Sequence, residues 1–127
     1  MFKKNTNQKP LEINQQEIST IIGDGYVFTG DLQGSSVIRI EGKIIGNVNV
    51  EGGVILGEKG IIEGDINSKS AIVYGTVNGN IKTTHLEIKK SGNVNGEIST
   101  DTLEIEIGAQ YNGKLNMHRR PIIAEAS

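Results

Sequence analysis

The sequence of 127 residues contains no cysteine and no tryptophan, and its aromatic residues amount to two phenylalanines and three tyrosines. Without cysteine, neither a disulfide framework nor a thiolate metal site can form, and such a composition fits a reducing compartment. So few aromatic side chains argue against a core built from large interlocking rings. No segment resembles a signal peptide, and no apolar run approaches the roughly 20 residues of a membrane-spanning helix. These absences predict a cytoplasmic protein with a narrow core.

The chain also lacks the basic excess that nucleic-acid binding requires. Residues 21–117 contain eight lysines or arginines against twelve aspartates or glutamates, a net charge of −4. Nucleic-acid binding calls for a basic face and often for stacking aromatic rings. The glycine-rich stretch 23–25 precedes a predicted strand, and it lacks the lysine and the following helix of a phosphate loop. We therefore expect no nucleic acid, no nucleotide and no cofactor.

Glycine, by contrast, is abundant, with seventeen residues, and isoleucine and valine, which favour strands, are frequent. A phrase of the form apolar-x-Gly-polar-apolar occurs six times, at 28–32, 44–48, 62–66, 77–81, 94–98 and 111–115. The position two before the glycine is occupied by Phe28, Ile44, Ile62, Val77, Val94 and Tyr111. The position two after it is occupied by Leu32, Val48, Ile66, Ile81, Ile98 and Leu115. Because all of these are apolar, the phrase is the structural repeat of the protein.

A second apolar pair precedes each of the last five copies: Ile38 and Ile40, Val54 and Leu56, Ala71 and Val73, Leu86 and Ile88, Leu103 and Ile105. Apolar residues at i and i+2 are the period of a β-strand. The phrase glycines lie 15 to 18 residues apart, and the variation falls in turns between strands of constant length. A repeat of this length, divided by small residues into short strands, fits three sides wound around a triangular prism.

The sequence therefore predicts an all-β, single-domain parallel β-helix, or β-solenoid, of about six short triangular coils. We choose the right-handed form because parallel crossover connections almost always have that hand. The β-helix domain is predicted at 20–117, between flexible tails at 1–19 and 118–127.

An enzyme is one alternative, because residues 55–62 are locally similar to the hexapeptide of left-handed β-helix acyltransferases. Those enzymes keep a coil of about eighteen residues, whereas four of the five spacings here differ from eighteen. They also need a catalytic histidine. His85 precedes the inward-pointing Leu86 and should face solvent, and His118 lies in the predicted C-terminal tail. We therefore predict no catalytic residue and no enzyme.

A metal column is a second alternative, because the residue after each phrase glycine is polar. These residues are Asp31, Asn47, Asp65, Asn80, Glu97 and Lys114. A lysine within a carboxylate column argues against calcium. We predict no metal, and a solvated corner in which neighbouring asparagine and aspartate side chains share hydrogen bonds.

A non-polymerising binding module is a third alternative, in which a flat side of the solenoid engages a partner. Glu87, Lys89, Glu104 and Glu106 alternate with apolar residues, the pattern expected of one solvated strand face. A charged face of this kind is ordinarily a soluble surface, and the pattern does not identify a partner.

The sequence resembles the bactofilins, bacterial cytoskeletal proteins that form a right-handed β-helix and polymerise end to end without nucleotide. The resemblance rests on the entry Thr-Ile-Ile-Gly-Asp-Gly at 20–25, the phrase at 28–32, the Ile-Glu-Gly of 40–42 followed by Gly46, and six coils between polar tails. It covers residues 20–117. It implies a scaffold in cell shape, stalk formation or polar positioning, with peptidoglycan-modifying enzymes or other morphogenesis proteins as partners.

The residues themselves also favour self-association. The ends of a solenoid expose unpaired backbone groups and an uncovered core, and we find no amphipathic helix in the sequence that would cap either end. Both large rings of the repeat, Phe28 and Tyr111, fall in the terminal copies. We predict that Phe28, Tyr111 and Leu115 form the polymerisation interface of a homopolymer, either head-to-tail or in alternating orientations.

The start of the chain predicts a membrane contact. Met1, Phe2, Lys3 and Lys4 place two apolar side chains beside two lysines. Burial contributes at most about 1.5 to 3 kcal/mol per apolar side chain, and a lysine near an anionic leaflet about 1 kcal/mol. One such hook is weak, but a filament presents many together. Some bactofilins associate with membrane through a short N-terminal segment, and we expect this chain at the inner face of the cell membrane.

Overall fold

The computed structural model describes residues 18–117, which form eighteen short β-strands and contain no α-helix. No helix able to span a membrane occurs in this described stretch. The first strand begins at Ile18, two residues before the predicted start of the domain. The rest of the predicted N-terminal tail, the C-terminal tail at 118–127 and the hook of residues 1–4 lie outside the described residues.

The strands form three parallel six-stranded sheets. Sheet A contains β1 (Ile18–Ile22), β4 (Val37–Ile40), β7 (Gly53–Leu56), β10 (Ser70–Val73), β13 (His85–Ile88) and β16 (Thr102–Ile105). Sheet B contains β2 (Val27–Thr29), β5 (Lys43–Ile45), β8 (Ile61–Glu63), β11 (Thr76–Asn78), β14 (Asn93–Asn95) and β17 (Gln110–Asn112). Sheet C contains β3 (Leu32–Gly34), β6 (Val48–Val50), β9 (Ile66–Ser68), β12 (Ile81–Lys82), β15 (Ile98–Thr100) and β18 (Leu115–Met117).

Successive strands belong to sheets A, B and C in turn, so that three strands make one coil. The six coils span 18–34, 37–50, 53–68, 70–82, 85–100 and 102–117, and we number them coil 1 to coil 6. Each strand of coils 2 to 5 pairs with its counterpart in the coil before and the coil after, as a solenoid requires. The predicted all-β parallel solenoid of about six coils is confirmed.

The register of the sheets confirms the apolar columns. In sheet B, Phe28 lies opposite Ile44, and the column continues through Ile62, Val77 and Val94 to Tyr111. In sheet C the column runs from Leu32 through Val48, Ile66, Ile81 and Ile98 to Leu115. The pairs predicted for the last five copies occupy matching positions in sheet A. Because adjacent coils place like residues on one another, the columns merge into one continuous core from Ile38 to Ile98.

The phrase glycines occupy the corner between sheets B and C. Gly46 and Gly96 have φ values of +148° and +146°, which L side chains rarely adopt. A Cβ atom at either position would also collide with the carbonyl oxygen of the glycine in the preceding coil, Gly30 or Gly79. Both the dihedral angle and the close stacking of the coils therefore require glycine at this corner.

The corner between sheets A and B absorbs part of the variation in repeat length. In coil 3 the Gly60 N–H donates to the Gly57 carbonyl at 2.9 Å, and in coil 6 the Ala109 N–H donates to the Glu106 carbonyl at 3.1 Å. In coils 3, 5 and 6 three residues separate the apolar pair of sheet A from the next small residue, whereas in coils 2 and 4 one residue separates them. The predicted variation of the turns is confirmed, although the strands are not all of equal length: β12 has two residues and the other sheet C strands have three.

Two polar features of the fold were not predicted. The first is Thr20 on β1, the sheet A strand of coil 1, which pairs with the apolar Ile38, while Ile22 pairs with Ile40. The register of β1 shifts between Ile18 and Thr20. The corner between sheets C and A encloses a buried column of hydroxyl groups, Ser68, Thr83 and Thr100. Thr83 Oγ1 donates to Thr100 Oγ1 at 3.0 Å, and Thr100 Oγ1 lies 2.9 Å from the Thr102 carbonyl oxygen. These bonds satisfy polar groups whose burial would otherwise be unfavourable.

Candidate functional site

The two ends of the solenoid differ from its middle because their strands have one neighbour instead of two. In coil 1, β1, β2 and β3 pair with β4, β5 and β6 alone, and in coil 6 the strands β16, β17 and β18 pair with β13, β14 and β15 alone. Among residues 18–117 no strand pairs with the outer edges of these coils. Within this stretch each end therefore presents three strand edges whose outer N–H and C=O groups pair with no other strand, and such edges can template further strands.

The ends also carry the exposed apolar surface. Of the eight large apolar side chains exposed in the described part of the chain, seven lie in coils 1 and 6. They are Ile21, Tyr26, Val27 and Phe28 at the N-terminal end and Ile105, Ile107 and Leu115 at the C-terminal end. The eighth is Ile45, on the side of coil 2. Unpaired edges and exposed apolar side chains thus coincide at both ends.

The three residues predicted for the interface lie in these end coils. Phe28 on β2 is 37% exposed, and Leu115 on β18 is 40% exposed. Tyr111 on β17 is half-buried and packs against the core, and burial of its hydroxyl group raises the pKa of Tyr111. The fold brings Tyr111 and Leu115 together at the C-terminal end and places Phe28 at the opposite end. The predicted residues thus belong to two separate surfaces.

Sequence reasoning missed Tyr26, which is 71% exposed at the N-terminal end. Its corner position is occupied by Gly42, Gly60, Gly75, Gly92 and Ala109 in the later coils. At Gly42 an added Cβ would collide with the carbonyl oxygens of Gly23 and Tyr26 in the coil below. Among the described residues no coil precedes coil 1, so a large side chain is tolerated at this position. The sequence feature that could have identified Tyr26 is its departure from a column of small residues.

Sequence reasoning also missed Ile107, the most exposed apolar residue of the C-terminal end at 95%. It lies in the turn after β16, where the corresponding turns carry the charged residues Asp24, Glu58 and Lys90. The sequence feature that could have identified Ile107 is its departure from a column of charged turn residues. Both missed residues are departures from the repeat that occur in an end coil.

The polar corner column forms a ladder along the side of the solenoid. The Asn47 N–H donates to Asp31 Oδ1 at 3.0 Å, and the same bond recurs from Asp65 to Asn47, from Asn80 to Asp65 and from Glu97 to Asn80, at 2.9 to 3.0 Å. The predicted hydrogen-bonded corner is confirmed, although the side chains bind main-chain N–H groups rather than each other. In coil 6 the ladder position is Lys114, whose ammonium group cannot accept a hydrogen bond.

The residues considered for chemistry occupy ordinary positions. His85 is exposed, as predicted, and its Nδ1 atom lies 2.7 Å from Thr102 Oγ1. The stretch 23–25 lies between β1 and β2, where the Tyr26 N–H donates to the Gly23 carbonyl at 3.2 Å. Within residues 18–117 no three histidine, aspartate or glutamate side chains are grouped so that they could hold a metal ion.

The outer face of sheet A in coils 5 and 6 carries paired charges. Lys89 Nζ lies 2.9 Å from Glu87 Oε1 and 3.8 Å from Glu106 Oε2. The hydrogen bond that the Lys89 ammonium group donates to Glu87, together with the negative charge of both carboxylates, raises the pKa of Lys89. The charges considered for a binding module are thus partly neutralised by one another.

Comparison with known proteins gives a consistent result. A family model for bactofilins, described as polymer-forming cytoskeletal, matches residues 20–116. The fold is similar to that in a cryo-EM reconstruction of Thermus thermophilus bactofilin double helical filaments, with a TM-score of 0.74 and 26% sequence identity. That similarity covers 76% of this chain and 97% of the Thermus chain.

Two curated relatives from Myxococcus xanthus are similar over shorter stretches. Bactofilin BacP is 27% identical over 85 residues, which cover 66% of this chain and 35% of BacP. Bactofilin BacO is 29% identical over 63 residues, which cover 50% of each protein. The chain thus spans half or less of the length of the curated relatives that it matches.

Proposed function

We infer the function from one premise: the chain belongs to the bactofilin family of polymer-forming cytoskeletal proteins. We propose that the solenoid assembles end to end into filaments, without nucleotide, and that its role is structural rather than catalytic. The interface consists of the N-terminal end, with Phe28, and the C-terminal end, with Tyr111 and Leu115.

The observation that carries this proposal is the concentration of exposed apolar side chains at the ends, where the strand edges are also unpaired. Stacking a second subunit on either end would pair three strand edges at once. It would also continue the apolar columns that end at Phe28 and Leu115. The sides of the solenoid offer no equivalent strand edges, because successive coils already pair there.

Negative-stain microscopy of the purified protein, without nucleotide or metal, tests this proposal. We expect filaments a few nanometres wide. A population of single particles the size of one solenoid would contradict polymerisation and favour the non-polymerising binding module. A discrete trimer would favour the acyltransferase alternative.

We also propose that residues 1–4 attach the filament to the inner face of the cell membrane. The support is the composition of Met1, Phe2, Lys3 and Lys4, together with the gain in avidity when many copies are displayed on one polymer. Deleting residues 1–4, or changing Phe2→Glu, should release the polymer from anionic liposomes and leave filaments intact. Asn5→Glu adds the same charge without removing the ring and is the matched control. Sedimentation of the truncated polymer with liposomes would contradict the hook.

At the level of the cell, we propose that the filament scaffolds cell shape and localises peptidoglycan-modifying enzymes or other morphogenesis proteins. Family membership supports this role, and a polymer offers many identical side faces to a partner. The test is co-sedimentation of a candidate enzyme with the polymer. Binding should be lost when the filaments are removed by an end variant such as Tyr111→Arg, and equal binding to unassembled protein would contradict a filament scaffold.

A further inference from the structure

The corner between sheets B and C contains three asparagines that are each followed by a phrase glycine. They are Asn78, Asn95 and Asn112, at paired positions of coils 4, 5 and 6. An asparagine followed by glycine is prone to spontaneous deamidation, because glycine has no side chain to hinder attack by its main-chain nitrogen. An apolar residue precedes each of the three, so a difference in their reactivity would come from their positions in the stack.

Deamidation depends on the nitrogen atom of the glycine. This nitrogen loses its proton to the solvent and bonds to Cγ of the asparagine, and the side-chain amide leaves as ammonia. The product is a cyclic succinimide, which water opens to aspartate or isoaspartate. A glycine N–H that donates a hydrogen bond keeps its proton and is held in the extended conformation of the corner. The reaction therefore requires this hydrogen bond to open.

The following coil protects the pairs in coils 4 and 5. The Gly79 N–H donates to the Asn95 carbonyl at 2.9 Å, and the Gly96 N–H donates to the Asn112 carbonyl at 2.9 Å. The phrase glycines of coils 1 to 3 form the same bond with the coil that follows them. Each of these N–H groups is released only when the stack opens locally.

Coil 6 differs because no coil follows it within residues 18–117. Among these residues the Gly113 N–H has no acceptor, and β17 pairs with β14 alone. Asn112 is exposed, and a single hydrogen bond holds its side chain, from Nδ2 to Asn95 Oδ1 at 3.1 Å. The Asn95 side chain accepts this bond and also donates to Asn78 Oδ1 at 2.9 Å. The reaction at Asn112 thus requires less of the fold to open than the reaction at Asn78 or Asn95.

We propose that Asn112 is a site of spontaneous deamidation in the unassembled subunit, and that Asn78 and Asn95 are protected by the coils stacked on them. Water is the only co-reactant that the reaction needs. The product changes the C-terminal end of the solenoid. An aspartate carboxylate has no proton to donate to Asn95 Oδ1, and an isoaspartate lengthens the main chain between Tyr111 and Leu115.

Assembly extends this protection to Asn112, a step that rests on the proposed end-to-end polymerisation. A second subunit whose strand pairs with the outer edge of coil 6 supplies an acceptor for the Gly113 N–H, as coil 6 does for Gly96. Subunits within a filament then keep Asn112, and subunits outside it lose Asn112 with time. Deamidation at this position therefore marks protein that has remained unassembled.

Peptide mapping by mass spectrometry of the full chain, aged in mildly alkaline buffer, tests the selectivity. Ultracentrifugation of diluted protein provides unassembled subunits in the supernatant, and Leu115→Arg provides them where dilution leaves none. In this fraction Asn112 should deamidate about tenfold faster or more than Asn78 and Asn95, a ratio that requires opening free energies to differ by about 1.4 kcal/mol. Equal rates at the three positions, or a slower reaction at Asn112, would overturn the proposal.

Unfolded protein is the matched control. In concentrated guanidinium chloride the three asparagines should react at similar rates, because the protection comes from the fold. A reaction at Asn112 that is as strongly favoured in the unfolded chain as in the folded one would assign the selectivity to local sequence and overturn the proposal.

The pelleted polymer tests the dependence on assembly separately. Asn112 in the pellet should react more slowly than Asn112 in the supernatant and approach the rate at Asn95. Equal rates at Asn112 in the two fractions would overturn protection by assembly. The absence of any pellet would contradict polymerisation, whereas the comparison of the three asparagines in the supernatant would still decide the selectivity.

Discussion

Coil 3 and coil 6 contain the same repeat, yet their equivalent residues lie in different environments. Ile66 in coil 3 and Leu115 in coil 6 belong to one column of sheet C, but Ile66 is 1% exposed and Leu115 is 40% exposed. Both are large apolar residues at an inward position, and they differ in whether a further coil lies beyond them. Exposure in this fold is therefore set by position in the stack, and the inward residues of the first and last described coils are the ones left partly uncovered.

The largest expected effect comes from placing a charge at inward positions of the two regions. Ile62→Asp in coil 3 buries an unpaired carboxylate in a fully enclosed column, which is prohibitive, and the protein should fail to fold. Tyr111→Arg lies in the same column but at the open end, where the cation can reach solvent. We expect it to be folded, soluble and mostly monomeric or dimeric.

Circular dichroism and microscopy of both variants test this contrast. A strand-type spectrum for Tyr111→Arg, with loss of filaments, is the expected result. Abundant long filaments from folded Tyr111→Arg protein would instead indicate that the ring only plugs its own core and that the junction lies elsewhere.

The next largest effect is expected at the corner between sheets B and C, where Gly96 and Gly30 belong to one column. Gly96→Ala combines an unfavourable φ of +146° with a collision against the Gly79 carbonyl, and should be more destabilising than the about 1 to 3 kcal/mol of backbone strain alone. Gly30→Ala, at φ +129°, has no coil below it within residues 18–117, and the nearest atom to an added Cβ is Phe28 Cε1 at 3.9 Å. Denaturant unfolding should show a clearly smaller loss for Gly30→Ala, and equal losses would contradict the stacking account.

A smaller effect is expected from the polar ladder. Asn80→Ala removes the acceptor of the Glu97 N–H and should lower the free energy of unfolding by about 0.5 to 1.5 kcal/mol, the usual net value of one hydrogen bond. Lys114→Ala in coil 6 removes no ladder acceptor and should leave stability nearly unchanged. Chemical denaturation of the two variants measures this difference, and a loss at Lys114 as large as that at Asn80 would oppose it.

The smallest effect concerns the paired charges of coils 5 and 6. The pKa of Lys89 is raised above the ordinary 10.5. Its ion pairs therefore stabilise the folded state fully below pH 10.5, and this contribution is lost as the pH rises through the folded-state pKa. Exposed ion pairs contribute up to about 1 kcal/mol. The Tm difference between the intact protein and Lys89→Met should shrink from below to above pH 10.5, and a difference that grows would contradict the assignment.

The sequence predicted the inward columns because an apolar residue at every second position marks the buried side of each strand. Ser68, Thr83 and Thr100 escaped that reasoning, since a hydroxyl group is buried only where a corner supplies its partner. The end residues Tyr26 and Ile107 were missed because they break the repeat instead of following it.

The most direct test of the central claim compares two arginine substitutions at side chains of nearly equal exposure. Leu115, at the C-terminal end, is 40% exposed, and Ile45, on the side of coil 2, is 39% exposed. Pelleting by ultracentrifugation, with microscopy of the pellet, measures assembly of Leu115→Arg and Ile45→Arg against the intact protein. If filaments form through the ends, Leu115→Arg should remain in the supernatant while Ile45→Arg pellets as filaments. Filaments of Leu115→Arg, or their loss in Ile45→Arg alone, would contradict assembly through the ends.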